Sequence, residues 1–158
     1  MLIFGIDPGT IVTGYGLIEK KSDLAGIDFG EIKPKRDETF SGRLEFIYGR
    51  LVEILREARP EAVALEDIFY GKNVKSLIKQ GHVRGTIILA ACHAGVPVFE
   101  YSPLEVKKAV VGYGVAEKKQ VQQMVKAILK LRGIPPPDAS DALAIAICHA
   151  NFLKAVPL

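Results

Sequence analysis

The stretch that decides the fold is Gly5-Ile6-Asp7-Pro8-Gly9-Thr10. The apolar residues 2–6 predict a buried β-strand, which ends in the carboxylate of Asp7 and turns at once through Pro8-Gly9. A second strand, over about 13–19, follows within hairpin distance. We therefore expect Asp7 at the tip of a core strand, facing outward, where a fixed acid is well placed to hold a metal ion.

The composition is that of an ordinary globular protein. The 158 residues are 49% hydrophobic and 25% charged, which predicts one domain with a proper core. The net charge of +3 permits a polyanionic partner without requiring one. Cys92 and Cys148 form neither a disulfide framework nor a CxxC metal motif. No signal peptide and no membrane-spanning run is recognisable, so we expect a cytoplasmic protein without a membrane partner.

The hydrophobic pattern predicts the element order βββ-α-β-α-β-α-α-α. The first three strands are expected to form an antiparallel meander. The later pattern, in which helices and strands alternate, predicts an α/β fold with a mixed five-stranded sheet flanked by helices. Beyond the first two strands, we expect strands over 24–32, 62–65 and 96–100, and helices over 41–59, 74–94, 103–112, 116–132 and 138–153.

Four acids are placed where they can share a site. Asp7 and Glu66 each end an apolar strand, and neighbouring strands lie about 5 Å apart. Asp138 and Asp141 lie three residues apart on the last helix, and therefore share a face. Clustered carboxylates repel one another unless cations neutralise them, and oxygen ligands favour Mg²⁺ or Mn²⁺. Two such ions about 3.5–4 Å apart form the clamp that nucleases and polymerases use.

Each acid also has an ordinary structural interpretation. Asp7 can simply favour the turn at Pro8-Gly9, and Glu66 can be a solvated strand end. Asp138 and Asp141 form a common helix-capping pair. Asp67 would point away from Glu66 if the strand continued, so Glu66 is the better candidate. The spacing alone is compatible both with one shared site and with separate structural roles.

The chain as a whole resembles the RuvC family of Holliday junction resolvases, which belongs to the ribonuclease H-like superfamily of nucleases. The motifs occur in family order and cover nearly the whole chain. The matching stretches are Gly5-Ile6-Asp7-Pro8-Gly9, Thr13-Gly14-Tyr15-Gly16, Ala64-Leu65-Glu66, Tyr101 with Val106-Lys107, Val110-Val111-Gly112, Ala116-Glu117-Lys118, Asp138-Ala139 and Asp141-Ala142-Leu143-Ala144.

The resemblance implies a single ribonuclease H-like nuclease domain over residues 1–158. It implies that Asp7, Glu66, Asp138 and Asp141 are the catalytic, metal-binding acids. The expected enzyme is a Mg²⁺-dependent homodimer, with two ions per active site and Mn²⁺ as a substitute. It would cut four-way junction DNA symmetrically during recombination and repair and leave 5′-phosphates. The resemblance also suggests the RuvA–RuvB branch-migration complex as a partner.

The resemblance also points to residues that contact DNA. Lys107 and Lys118 match basic positions of the family that approach the DNA backbone, and Lys108 and Lys119 lie beside them. An aromatic residue in the loop after the second acid matches one that contacts junction bases. Without the resemblance, the lysines can equally form a solvated helix face and the aromatic residue can belong to the core. The candidate DNA contacts are Phe69, Tyr70, Lys72, Lys107, Lys108, Lys118 and Lys119.

Two features of the predicted helices concern packing. Gly81 and Gly85 lie on one face of the second helix, where another backbone can approach closely. That backbone belongs either to a second subunit or to the chain's own sheet. The three histidines, His82, His93 and His149, lack the spacing of metal ligands and are expected to be structural or surface residues. Of the three, His149 on the last helix is the best candidate to lie near DNA.

Two other functions are compatible with parts of the sequence. The Asp-Pro-Gly-Thr turn followed by Thr13-Gly14 faintly resembles the phosphate-binding opening of actin-like ATPases and sugar kinases. Those proteins need two such domains, and this chain has room for one. The other alternative is a non-catalytic nucleic-acid-binding domain on the same scaffold. Nucleotide hydrolysis would identify the first, and DNA binding without cleavage would identify the second.

Overall fold

The computed structural model describes residues 1–68, 73–114 and 116–155. The elements follow the predicted order. The strands are β1 (Leu2–Asp7), β2 (Thr13–Lys20), β3 (Leu24–Ile32), β4 (Ala62–Glu66) and β5 (Val98–Tyr101). The helices are α1 (Phe40–Ala58), α2 (Val74–His93), α3 (Pro103–Val111), α4 (Lys118–Ile128) and α5 (Pro137–Ala155). None of the helices in these ranges is long and apolar enough to cross a membrane.

The strands form one mixed sheet in the order β3-β2-β1-β4-β5. The first three strands are the antiparallel meander that the sequence predicts, and β4 and β5 run parallel to β1 and β4 respectively. Because side chains alternate along a strand, each strand supplies both faces of the sheet. Phe4 and Ile6 pack with α1 and α2, whereas Ile3 packs with α3, α4 and α5. The predicted α/β fold is confirmed.

Helix α5 lies unusually close to the sheet. A Cβ atom added to Gly5 would lie 2.0 Å from the carbonyl oxygen of Ala142, and one added to Gly14 would lie 2.0 Å from that of Asp138. The side chain of Leu143 covers Gly16 in the same way. Three glycines of β1 and β2 therefore let the helix backbone touch the strand backbone, which sets the first turns of α5 directly above the end of β1.

Local signals place most helix ends correctly. Ser102 and Glu105 form the expected capping box at α3, and Gly95 after α2 has a φ of +71°. The fourth helix differs from the prediction because it ends at Ile128, not at Arg132. Lys130 has a φ of +56°, which reverses the chain so that Leu131 packs over Gly26 of β3. Packing against the sheet therefore ends the helix before Gly133.

The glycine face of α2 does not pack against the chain's own sheet. A Cβ atom added to Gly85 would meet no described atom within 4 Å, and one added to Gly81 would meet only Ile68, at 3.8 Å. The alternative that these glycines accommodate the chain's own strands is therefore wrong.

Replacing Gly14 with alanine is expected to lower the free energy of unfolding by about 1–3 kcal/mol, because its methyl group would overlap the carbonyl oxygen of Asp138. The matched control is Gly49→Ala on α1, where no atom of the described residues lies within 4 Å of the added methyl group. That change should raise stability by about 1 kcal/mol through helix propensity. Urea denaturation followed by circular dichroism measures both, and a Gly14→Ala variant as stable as the unmodified chain would contradict the close contact.

Candidate active site

Asp7 and Glu66 lie side by side at one end of the sheet. Ile6 pairs with Leu65 in the parallel register of β1 and β4. Asp7 and Glu66, the last residues of these two strands, are therefore at the same height in the sheet. Both acids share the α5 face with Ala64, since alternate residues of a strand point to the same side. Glu66 rather than Asp67 faces the crevice, as the sequence predicts.

The turn after Asp7 is held by Thr13. The buried hydroxyl of Thr13 donates a hydrogen bond to the carbonyl oxygen of Gly9 at 2.9 Å, and the Gly9 N–H lies 3.4 Å from the same hydroxyl. The two contacts join the beginning and the end of the β1–β2 connection. The Asp7 carboxylate therefore projects from a fixed strand end.

The start of α5 brings two more acids to this crevice. Asp138 lies in the first turn of the helix, and its backbone carbonyl is the atom that packs against Gly14. Asp141 follows on the same helix and forms an ion pair with Lys118, with 3.1 Å between Oδ2 and Nζ. The close contact of α5 with the sheet thus places the first turns of the helix beside the ends of β1 and β4.

The pKa values of these acids are raised by burial and by the neighbouring carboxylates. Burial, followed by the charges of Asp141, Glu66 and Asp138, raises the pKa of Asp7 from 3.8 to about 8. Burial and the charge of Asp141 also raise the pKa of Glu66. Burial raises the pKa of Asp141 although its ion pair with Lys118 opposes the shift. Burial therefore disfavours the ionised form of these acids, and repulsion between the carboxylates adds to the effect.

The predicted DNA contacts fall into three groups. Lys107 and Lys118 line the same groove as Glu66 and Asp141, and both lower the pKa of Glu66 by their charge. Lys108 lines a different groove, beside Ala109 and Phe152, and Lys119 is exposed in the first turn of α4. The remaining candidates lie outside the described residues; they are Phe69, Tyr70 and Lys72.

The carboxylate ligands suit a hard divalent cation, but the acids of the metal-free chain do not form a complete coordination site. Every candidate ligand is a carboxylate oxygen, which is the chemistry that Mg²⁺ and Mn²⁺ favour. In the described ranges, no three acidic, histidine or cysteine side chains converge closely enough to hold a metal ion. The ammonium group of Lys118 provides positive charge against Asp141 instead.

Arg84 is a buried residue of this region that the sequence analysis missed. It lies on α2, and its guanidinium donates hydrogen bonds to the backbone carbonyl of Glu66 and to the carboxylate of Glu100. The signal for it was a single charged residue within the otherwise uncharged stretch 83–91.

His149 is a structural residue of the core, which is one of the two roles that the sequence predicts for the histidines, and its buried ring is not placed to contact DNA. Its side chain is buried, and its Nδ1 lies 2.7 Å from the hydroxyl of Tyr101. The ring also packs against Phe99, with 4.5 Å between ring centroids. The inward face of α5 carries this residue into the core because it lies eight positions, about two helical turns, after Asp141.

Comparison with known proteins identifies related sequences over almost the whole chain. Residues 3–149 match the family model of the crossover junction endodeoxyribonuclease RuvC. The RuvC of Geotalea uraniireducens is 53% identical over 96% of this chain and 89% of its own length. That of Ruminiclostridium cellulolyticum is 48% identical over 96% of this chain and 92% of its own length.

Solved structures agree with the sequence comparison. The structure of Thermus thermophilus RuvC in complex with Holliday junction substrate superposes with a TM-score of 0.93 at 37% identity, covering 98% of this chain and 96% of that one. The yeast mitochondrial Holliday junction resolvase Ydc2 shares the fold at 16% identity, with a TM-score of 0.67 over 97% of this chain and 83% of its own.

Asp7→Asn is expected to stabilise the metal-free protein, increasingly as the pH rises from about 4 to about 8. The folded state binds the Asp7 proton more tightly than the unfolded state, because its pKa is about 8 when folded against 3.8 for an exposed carboxyl. Ionisation of Asp7 therefore lowers the free energy of unfolding, by up to several kcal/mol at about 1.4 kcal/mol per pKa unit. Asparagine cannot ionise, so the variant does not lose this stability.

Melting temperatures in the presence of a chelator at pH 5 and pH 8 test this prediction. The control is Asp37→Asn, an exposed position before α1 that should change little at either pH. A lower melting temperature for Asp7→Asn at pH 8 would instead show that the Asp7 carboxylate stabilises the fold.

Proposed function

The chain belongs to the RuvC family of crossover junction endodeoxyribonucleases, and on that premise we propose that it resolves four-way DNA junctions during recombination and repair. The observation that carries the proposal is that Asp7 lies near enough to Glu66, Asp138 and Asp141 for their charges to raise its pKa. The structural match to a RuvC bound to a Holliday junction substrate supports the choice of DNA substrate.

We infer that the four acids are the catalytic residues and bind two Mg²⁺ ions, for which Mn²⁺ can substitute. Their all-oxygen donor set supports this assignment. The raised pKa of Asp7 supports it too, since burial and the charges of Asp141, Glu66 and Asp138 disfavour its ionised form in the absence of a cation. Divalent ions in such a site lower the pKa of water and neutralise charge on the phosphate and the leaving oxygen. Hydrolysis would leave a 5′-phosphate.

The protein's own residues orient the DNA in this proposal. The ammonium groups of Lys107 and Lys118 border the acids and would draw the phosphate backbone into the groove. Phe69, Tyr70 and Lys72 follow Glu66 closely in sequence, and we propose that they contact the junction beside the scissile strand, with Phe69 stacking on a base. Lys108 and Lys119 would contact the backbone farther from the acids.

We further propose a homodimer that uses the exposed face of α2. This face exposes Ile78 at 55% and Leu89 at 49%, with Gly81 and Gly85 between them. A self-complementary helix face suits two-fold symmetry, and two active sites suit a junction with two strands to cut. The glycines would allow the paired helices to approach closely.

The remaining parts of the proposal follow from family membership. Residues 1–158 would act as one nuclease domain, which the continuous sheet supports. The partners would be four-way junction DNA and the RuvA–RuvB branch-migration complex, and the work would take place in the cytoplasm.

Cleavage of a synthetic four-way junction tests the function directly. With Mg²⁺ we expect symmetric nicks in the junction and none in linear duplex of the same sequence, and a chelator should abolish them. Asp7→Asn and Glu66→Gln should each slow cleavage about 10³-fold or more, because loss of metal binding removes several kcal/mol of transition-state stabilisation. Junction binding should change less than about threefold, and Asp37→Asn should cleave normally.

Other results would favour the other functions. Junction binding without nicks under every metal condition would identify a non-catalytic DNA-binding domain. Nucleotide hydrolysis in place of DNA cleavage would identify an actin-like or sugar-kinase-like ATPase.

Gly85→Glu is expected to convert the dimer into monomers without unfolding it. A Cβ atom at this position has no described atom within 4 Å, and the carboxylate beyond it would place a charge in the interface. Gly49→Glu is the matched control, since it introduces the same side chain at another uncrowded helical glycine. Analytical ultracentrifugation should show a dimer for the control; a dimeric Gly85→Glu variant would place the interface elsewhere.

A further inference from the structure

Arg84 is the only lysine or arginine that is buried in the described ranges of the chain, with 6% of its surface exposed. A buried guanidinium is unfavourable unless hydrogen bonds and opposite charges compensate it. Arg84 does not line the groove that Glu66 and Asp141 share. It can therefore act on the site through its charge, which lowers the pKa of Glu66, and through the residues that it contacts.

Its contacts join three chain segments at the edge of the site. One guanidinium nitrogen, Nη1, donates to the backbone carbonyl of Glu66, the last residue of β4. The other, Nη2, donates to the carboxylate of Glu100 on β5 and lies 3.4 Å from Oδ1 of Asp67. Asp67 in turn accepts a hydrogen bond from the Ile68 N–H at 2.7 Å, where the chain leaves the strand.

The sheet itself leaves the Glu66 carbonyl without a partner. Val63 and Asp67 donate their N–H groups toward β5, so the alternate residue Glu66 turns its backbone toward β1. If the register of β1 and β4 continued by one more step, the residue that would donate to the Glu66 carbonyl is Pro8, directly after β1, and proline has no N–H. Arg84 supplies the missing donor.

We propose that Arg84 is the positioning residue of the active site, which fixes the end of β4 so that the Glu66 carboxylate stays within reach of Asp7 and Asp141. This inference rests on the proposed function of the four acids. Only arginine can serve here, because its planar fork reaches a carbonyl and carboxylates at once, whereas lysine offers one point charge. The same fork anchors Asp67 at the start of the segment that carries Phe69.

Arg84→Lys is the decisive variant, because it keeps the positive charge and removes the fork. We expect its affinity for Mn²⁺, measured by electron paramagnetic resonance without DNA, to fall about 10–100-fold, as for other residues that orient metal ligands. Junction cleavage should slow by a similar factor, while junction binding in a chelator changes less than about threefold. The matched control is Arg50→Lys, an exposed ion-paired arginine of α1, which should behave normally.

A second variant, Arg84→Met, removes the charge as well as the hydrogen bonds. Thermal unfolding of both variants shows whether a loss of Mn²⁺ binding or cleavage arises from misplaced acids or from a less stable fold. A folded Arg84→Lys variant with wild-type Mn²⁺ affinity and cleavage rate would overturn the proposal, whether or not Arg84→Met folds. So would a loss of activity that follows only the fraction of unfolded protein. A wild-type chain that neither binds Mn²⁺ nor cuts junctions would overturn the proposed function as well, so the two failures are distinguishable.

Discussion

Backbone contact between α5 and the sheet is the constraint on which the site depends. Gly5 and Gly14 leave no room for a side chain beneath the carbonyl groups of Ala142 and Asp138. Larger residues at these positions would hold the helix away from the strands and carry its first turns away from the end of β1. The same contact explains why the motif around Asp7 is rich in glycine: the strands that present the first acid must also receive the helix that presents the last two.

This packing creates an electrostatic cost that the surrounding residues only partly offset. It draws four carboxylates into a half-buried crevice, and the pKa of Asp7 rises to about 8 as a result. Lys118 pairs with Asp141, and Lys107 borders Glu66. Burial and the neighbouring carboxylates make ionisation of Asp7 unfavourable, so this cluster lowers the stability of the metal-free fold at neutral pH. A cation-binding role accounts for an arrangement that a purely structural role would not favour.

The sequence predicted the structure correctly wherever the interaction that determines it is local in the chain. Strand alternation, the capping box at Ser102 and the proline after Asp7 act over a few residues, so the element order and the antiparallel meander were predictable. The end of α4 was not, because Leu131 turns inward to cover Gly26 of another strand. Neither was the burial of His149, which depends on contact with Tyr101 of β5, a residue 48 positions away in the chain. Spacing alone left the four acids open to separate roles, because only the packing of α5 determines how near Asp138 and Asp141 come to Asp7.

Helix α2 connects the two proposals made here. Arg84 and Gly85 are adjacent, and successive residues of a helix point about 100° apart, so one turns toward the end of β4 while the other faces outward. In the proposed dimer, the partner would press on the face that carries Gly85. Because the guanidinium of Arg84 is bonded to the Glu66 carbonyl, a shift of the helix would move the end of β4 with it. Dimer contact and acid geometry would then be set by the same rigid element, which would favour correct placement of Glu66 in the assembled enzyme.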